Sequence, residues 1–152
     1  GRPLGAGASL WLLLDARTRR PQRLPDPVLA LRNRDRPAVD LPEPPATAPP
    51  PETLVHRRTA RWHDLDVNGH VTNARLVEWL LDGMPAASWT TGRPDLISIR
   101  FVHEVRRDET VGVRCAADAA RSCHALVGED GTPKALALAR WRPEPGARPQ
   151  NR

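Results

Sequence analysis

The chain has no Tyr, one Phe, one Met and two Cys, and a single one of its 23 basic residues is Lys. Modules that bind single-stranded nucleic acid stack bases on aromatic side chains set among cations. One Phe and five scattered Trp make no such platform. The two cysteines, Cys115 and Cys123, have neither the number nor the spacing of a zinc site or a disulfide scaffold. They flank a turn expected at Asp118 to Ala120, where they would face each other across a hairpin as buried, reduced thiols, and that points to a cytoplasmic setting. Long apolar runs are missing too: the stretch Leu10 to Leu14 is far short of a membrane span. Nothing joins a basic start to an apolar stretch of roughly 7 to 15 residues, the pattern of a signal peptide. Gly1 stands in place of Met, which leaves open a leader lost with a cut N-terminus.

What is present fits one domain. A length of 152 residues, with 39% hydrophobic and 27% charged side chains and a mean hydropathy of -0.52, supports one modest core. Proline is abundant and uneven: of 17, seven lie between Pro37 and Pro51. Few large apolar groups and few free N–H donors make residues 37–55 a semi-rigid polyproline linker with no packed structure expected. It separates residues 1–36 from a compact part, 56–142, followed by a tail, 143–152, expected to be disordered. The net charge of +5 is concentrated in the first of these, which holds 8 Arg against 3 acids, whereas residues 56–142 hold 13 basic against 11 acidic groups. A nearly balanced compact part argues against nucleic acid, and the basic excess elsewhere suits an acidic protein partner.

From His56 the periodicity becomes informative. His56 to Trp62 reads as a strand. Between Thr72 and Gly83, apolar groups at Ala74, Val77, Leu80 and Leu81, with Met84 one turn on, form a helical stripe that Pro85 ends. Four strands follow: Leu96 to Val105, Glu109 to Ala117, Arg121 to Val127 and Thr132 to Trp141, with turn residues from Gly128 to Gly131. One helix of about three turns covers a single face of a five-stranded antiparallel sheet. The other face must meet water, a second domain or a copy of itself. That is an α+β hot dog, one helix packed on a five-stranded antiparallel sheet, and it predicts pairing.

Between the first strand and the helix lies Asp64-Leu65-Asp66-Val67-Asn68-Gly69-His70-Val71, where polar and apolar residues alternate. In an extended chain Asp64, Asp66, Asn68 and His70 project to one side, just before a helix N-terminus that suits a developing oxyanion. A carboxylate or imidazole to activate water, an amide to hold a carbonyl and a helix end are sufficient for acyl transfer. The same residues also fit a capping and turn sequence, for which Asp and Asn are the usual choice. The stretch matches the first half of a calcium loop as well, but the twelfth position, where that loop needs a bidentate Glu, is Arg75. A transition-metal site from His63, Asp66 and His70 lacks a spacing that brings all three onto one ion.

The run from Arg61, R-x-x-D-L-D-V-N-G-H-V-T-N-A-R-L-V-E-W-L-L-D, is similar to the signature of the acyl-acyl-carrier-protein thioesterases of the plant FatA/FatB type and their bacterial relatives. The likeness continues through Phe101-Val102-His103-Glu104-Val105-Arg106-Arg107-Asp108. Trp11 to Asp15, with Thr18, Arg20, Pro21, Arg23 and Pro25, resembles the last strand and exit of that family's first hot dog domain, so the chain reads as a second hot dog with a remnant of the first. The resemblance implies a thioester hydrolase whose catalytic groups are Asp66, Asn68 and His70 around the helix start and Glu104 on the neighbouring strand. The carboxylates and His would activate the attacking water, with Asn orienting the carbonyl. Without the resemblance, Glu104 has the alternative reading of an exposed strand residue paired with Arg106 or Arg107, and Trp79 reads as a packing residue. No cofactor or metal is implied. Three departures from the resemblance matter: Val105 replaces the Cys of many plant members, removing a thiol nucleophile; Thr72 replaces the first Asn after His-Val; and almost all of the first hot dog, the half that shapes the acyl-chain tunnel in that family, is absent from this sequence.

The expected substrate is an acyl thioester on acyl carrier protein or coenzyme A, and the expected assembly a homodimer or a pairing with the missing first half. The alternative is a truncated, non-catalytic hot dog that binds acyl chains or a partner protein.

Overall fold

The computed structural model describes residues 5–15, 17–18, 20–31, 42–118 and 120–143. The chain divides into two units, residues 1–41 and 42–152. In the first, β1 (Leu13–Leu14) pairs antiparallel with β2 (Pro21–Gln22) around a turn organised by Asp15. Its carboxylate accepts the backbone N–H groups of Arg17 and Thr18 at 3.1 and 2.6 Å, the usual way a short acid fixes a turn. A five-residue helix, α1 (Asp26–Ala30), buries none of its side chains. The strand expected from Trp11 to Asp15 is thus paired only at Leu13 and Leu14.

The second unit is the expected α+β hot dog. Its elements are β3 (Leu54–Thr59), α2 (Asn73–Asp82), α3 (Ala86–Thr91), β4 (Gly92–Phe101), β5 (Thr110–Ala117), β6 (Arg121–Gly128) and β7 (Pro133–Pro143). The strands form one antiparallel sheet in the order β3-β5-β6-β7-β4. Alternation sends Val111 and Val113 of β5, Leu126 of β6 and Ala135 and Ala137 of β7 against Leu76, Trp79 and Leu80 of α2. The helix begins where the Thr72 hydroxyl accepts the Arg75 N–H at 3.2 Å, a side-chain N-cap. Its buried stripe differs from the expected one: Ala74 is exposed, while Leu76 and Trp79 are buried. Burying an indole and an isobutyl group removes far more apolar area from water than burying a methyl, and that sets the rotation of the helix. Pro85 does follow the helix, but it also starts α3, whose Trp89 meets Trp141 of β7 edge to face with ring centroids 5.1 Å apart.

The two thiols do not face each other. Cys115 lies opposite His124 and Cys123 opposite Ala116, so the one-residue offset sends them to opposite faces of the sheet. Both are free, and burial pushes the Cys115 thiol up to about 11.

The proline-rich stretch also departs from expectation. Residues 37–41 lie outside the described residues, but from 42 onward the segment is laid on the sheet. Pro44 and Pro49 are buried, and Ala48 packs on Ala125, Val127 and Leu136, on the face away from α2. Arg114 donates to the Pro49 carbonyl at 3.2 Å, and Arg100 pairs with Glu43. Proline rings are apolar and bring no N–H that burial would leave unpaired, so such a segment can lie flat on an apolar sheet face. Residues 51–53 form a 3-10 turn, and β3 begins at Leu54, inside the expected linker. Of the expected tail, Pro143 still belongs to β7 and residues 144–152 lie outside the described residues.

Strand β4 runs from Gly92 to Phe101, shifted toward the N-terminus from the expected span. It holds Pro94 at a break in register, which an edge strand tolerates because no N–H is needed on its open side. Beyond Phe101 the chain leaves the ladder: Val102 and His103 both donate to the Lys134 carbonyl, at 2.8 and 3.1 Å. Glu104 therefore sits in the connection after the strand rather than on it.

Candidate active site

The segment 62–71 is folded back on itself rather than extended. A 3-10 turn, Trp62–Asp64, opens it, and Leu65 then bridges Val71 across a tight loop. Within the loop Asp66 N–H donates to the His70 carbonyl at 2.9 Å and Gly69 N–H to the Asp66 carbonyl at 3.1 Å. Gly69 takes φ 80°, the left-handed conformation that favours a residue without a side chain. Val67 is left fully exposed at the tip.

This folding separates Asp64 from the other three polar residues. Its carboxylate is buried, accepts the Arg61 N–H at 2.8 Å and lies 3.4 Å from the Arg75 Nε. Its carbonyl accepts the Thr72 N–H at 2.9 Å. Asp64 thus ties the loop to the start of α2 and is not one of the converging groups. In this arrangement the cation at the twelfth position of the supposed calcium loop pairs directly with its first carboxylate. Among the described residues, no three His, Cys, Asp or Glu side chains stand where they could hold a metal ion.

Asp66, Asn68, His70 and Glu104 do come together. Asp66 Oδ1 accepts the Asn68 N–H at 2.8 Å, and the Asn68 side-chain amide donates to Asp66 Oδ2 at 3.3 Å. Burial alone would raise the Asp66 carboxyl, but the Asn68 bonds, helped by the His70 N–H and imidazole, outweigh it and hold the group below its ordinary value. The His70 ring has a carboxylate at each nitrogen: Nδ1 is 3.7 Å from Asp66 Oδ2, and Nε2 is 3.5 Å from Glu104 Oε1. These are ion-pair separations, longer than a tight hydrogen bond. All three side chains are about one-third exposed or less, so solvent and a ligand can reach them while the loop holds them.

The arrangement rests on two backbone links. His70 bridges Arg106, and the Val71 N–H donates to the Val105 carbonyl at 2.8 Å. Glu104 is also 3.6 Å from Arg106 Nη2, so the pairing expected of a surface strand residue is present beside the contact with His70. Arg107 instead pairs with Asp108 and lies over the Trp62 ring. Val105, fully buried, offers only its carbonyl. Lys134 and Glu109, which hold the loop behind Glu104, carried no spacing signal. Their one sequence mark is that Lys134 is the single lysine among so many arginines.

Fold and cluster define the class, a hot dog domain with an acid–imidazole–acid group at the mouth of its helix. Residues 48–143 match the family described as the acyl-ACP thioesterase C-terminal domain, and the chain belongs to that family. It is 28% identical to a palmitoyl-acyl carrier protein thioesterase of Cuphea hookeriana over 96% of this chain and 38% of that protein. It is 30% identical to a dodecanoyl-[acyl-carrier-protein] hydrolase of Cinnamomum camphora over 57% of this chain and 24% of that protein. The chain therefore spans between about a quarter and two fifths of the length of these curated relatives. Its fold is that of an acyl-ACP thioesterase from Bacteroides thetaiotaomicron (TM-score 0.72, 20% identity, 85% of this chain and 53% of that one). A 12:0-ACP thioesterase from Umbellularia californica is similar too (TM-score 0.62, 23% identity, 86% and 52%).

The curated relatives overturn the expected cytoplasmic setting, for they are chloroplastic proteins by name. Two free cysteines on opposite faces of the sheet do not distinguish one compartment from another.

Proposed function

We propose that the chain carries the water-activating half of a thioesterase that hydrolyses acyl thioesters of acyl carrier protein, with acyl-coenzyme A as the alternative donor. The observation that carries this reading is the His70 imidazole held between Asp66 and Glu104. Water hydrogen-bonded beside the His70–Glu104 pair attacks the acyl carbonyl carbon and gives up a proton to this pair. The carbonyl oxygen gathers negative charge, which the Asn68 amide and the positive end of α2 stabilise. Collapse of the tetrahedral intermediate breaks the carbon–sulfur bond, and the proton held by His70 passes to the departing thiolate. The products are a free fatty acid and the pantetheine thiol. Asp66 fixes both partners, since it binds the Asn68 amide and faces Nδ1 of His70. No cofactor takes part. Names of relatives point the same way, the matched proteins being acyl-ACP hydrolases.

Pairing, with a second copy or with a first hot dog half, belongs to this proposal, because the part of the relatives' length that the chain does not span would supply the rest of an acyl-chain tunnel. The test is thiol release from palmitoyl- and dodecanoyl-acyl carrier protein and from acyl-coenzyme A by the purified chain. Hydrolysis is expected to fall by about 10²-fold or more in Asp66→Ala, His70→Ala and Glu104→Gln, the range of acid–base catalysis. A folded, paired chain that releases no thiol overturns the reading in favour of a binding module.

A further inference from the structure

The chain uses arginine everywhere except at one place, and that place is behind the candidate site. Lys134, near the start of β7, is largely buried, its side chain about 14% exposed. Its ammonium pairs with the Glu109 carboxylate and donates to the Glu104 carbonyl at 3.4 Å. The other oxygen of Glu109 accepts the Arg106 N–H at 3.0 Å. The Lys134 carbonyl takes the N–H groups of Val102 and His103. One residue and its partner thus fasten the connection at 102, 103, 104 and 106, on both sides of the Glu104 side chain, and Arg106 is the residue that bridges His70.

The space for this lysine is specific. Gly128 lies beside its stem, and a Cβ there would fall 3.2 Å from the Lys134 Cε. A guanidinium is wide and planar, whereas an ammonium is a compact point charge that can reach a carboxylate and a carbonyl together. We propose that the Lys134–Glu109 pair is a positioning device for the proposed hydrolysis, holding Glu104 in reach of the His70 Nε2 without touching substrate. The inference rests on the hydrolytic reading of the site and names residues that reading does not use.

The test compares Lys134→Met with Lys134→Met/Glu109→Gln, which removes the pair without leaving an unmatched buried charge, and with Lys134→Arg. The first readout is kcat against KM on palmitoyl-acyl carrier protein. Both disruptive variants should lower kcat by about 10²-fold, the cost of a misplacement of about 1 Å, at nearly unchanged KM. Lys134→Arg, which keeps the charge, should recover part of the loss. The second readout needs no turnover: the Nε2 resonance of His70 in 15N-histidine-labelled protein. It should move in the disruptive variants toward its position in Glu104→Gln. If Glu104→Gln shifts this resonance while both disruptive variants leave it in place, the pair does not position Glu104 and the inference fails. If the parent chain releases no thiol yet the resonance moves as expected, the hydrolytic reading fails and the positioning stands.

Discussion

His70 and His124 belong to the same sheet-and-helix unit, and their surroundings are opposites. The His70 side chain is 28% exposed and has a carboxylate at each ring nitrogen. His124 is 1% exposed, between β6 and the helix layer, with the Ser122 hydroxyl 2.7 Å from Nε2 and the Trp141 indole N–H donating to that same hydroxyl at 2.9 Å. Its Nδ1 has no partner in good hydrogen-bond geometry. Burial pushes its pKa down to about 4, against a smaller opposing pull from the Leu80 carbonyl. Imidazole chemistry needs a path for a proton and a charge to balance it, and of these two histidines His70 alone has both. A serine and a histidine in contact do not make a nucleophilic pair where no carbonyl can reach them and no acid orients the ring.

Two substitutions test that contrast most sharply. His70→Ala should lower hydrolysis by about 10² to 10⁴-fold with little change in melting temperature, because the side chain is partly solvated and packs on little. His124→Ala should do the reverse, with a loss of about 3 kcal/mol in urea unfolding from the cavity and from the Ser122 hydroxyl left without its imidazole partner. A folded His124→Ala chain with parental stability and no activity would break the comparison, and would make the buried histidine a functional group.

The pH dependence of stability sharpens it. His124 has a pKa of about 4 when folded, against 6.5 as its ordinary value. Between those values the unfolded chain binds more protons than the folded one, so this stabilisation is complete above about pH 6.5 and is lost as pH falls toward 4. The expected loss is roughly 3 kcal/mol, at 1.36 kcal/mol per pKa unit. Urea titrations at pH 7 and 4.5 should show it, and His124→Gln should flatten it. The Asp66 carboxyl, held below its ordinary 3.8, titrates beneath this window and does not confuse the reading.

Nothing in the sequence separates these two histidines by type; what separates them is neighbours in space. The loop motif is local, so Asp66, Asn68 and His70 could be grouped from spacing alone. Glu104 came only with a resemblance, because it lies 34 positions along the chain from His70. The same limit explains Asp64, where strict alternation implied an extended chain: a 3-10 turn and the pull of Arg61 and Arg75 rotate that carboxylate inward. The strands of β5, β6 and β7 were legible because period-2 alternation and turn residues are short-range signals. The packed proline segment was not, since composition shows that a stretch cannot form a ladder and does not show that an apolar sheet face is waiting for it.

That segment supplies the smallest test. Ala48 sits on Ala125, Val127 and Leu136 in a dry contact on the face away from α2. A carboxylate in Ala48→Asp would meet no partner there, but Ala48 is only half-buried and the new side chain can turn toward water. The expected cost in urea unfolding is therefore about 1 kcal/mol, less than that of His124→Ala. Because His70, Asp66 and Glu104 lie at the mouth of the helix and not under the proline segment, kcat should stay at the parental value. A fall in kcat at that modest cost in stability would mean that the outer face helps to set the loop geometry, so that the division between a solvated chemical centre and a dry scaffold would not hold.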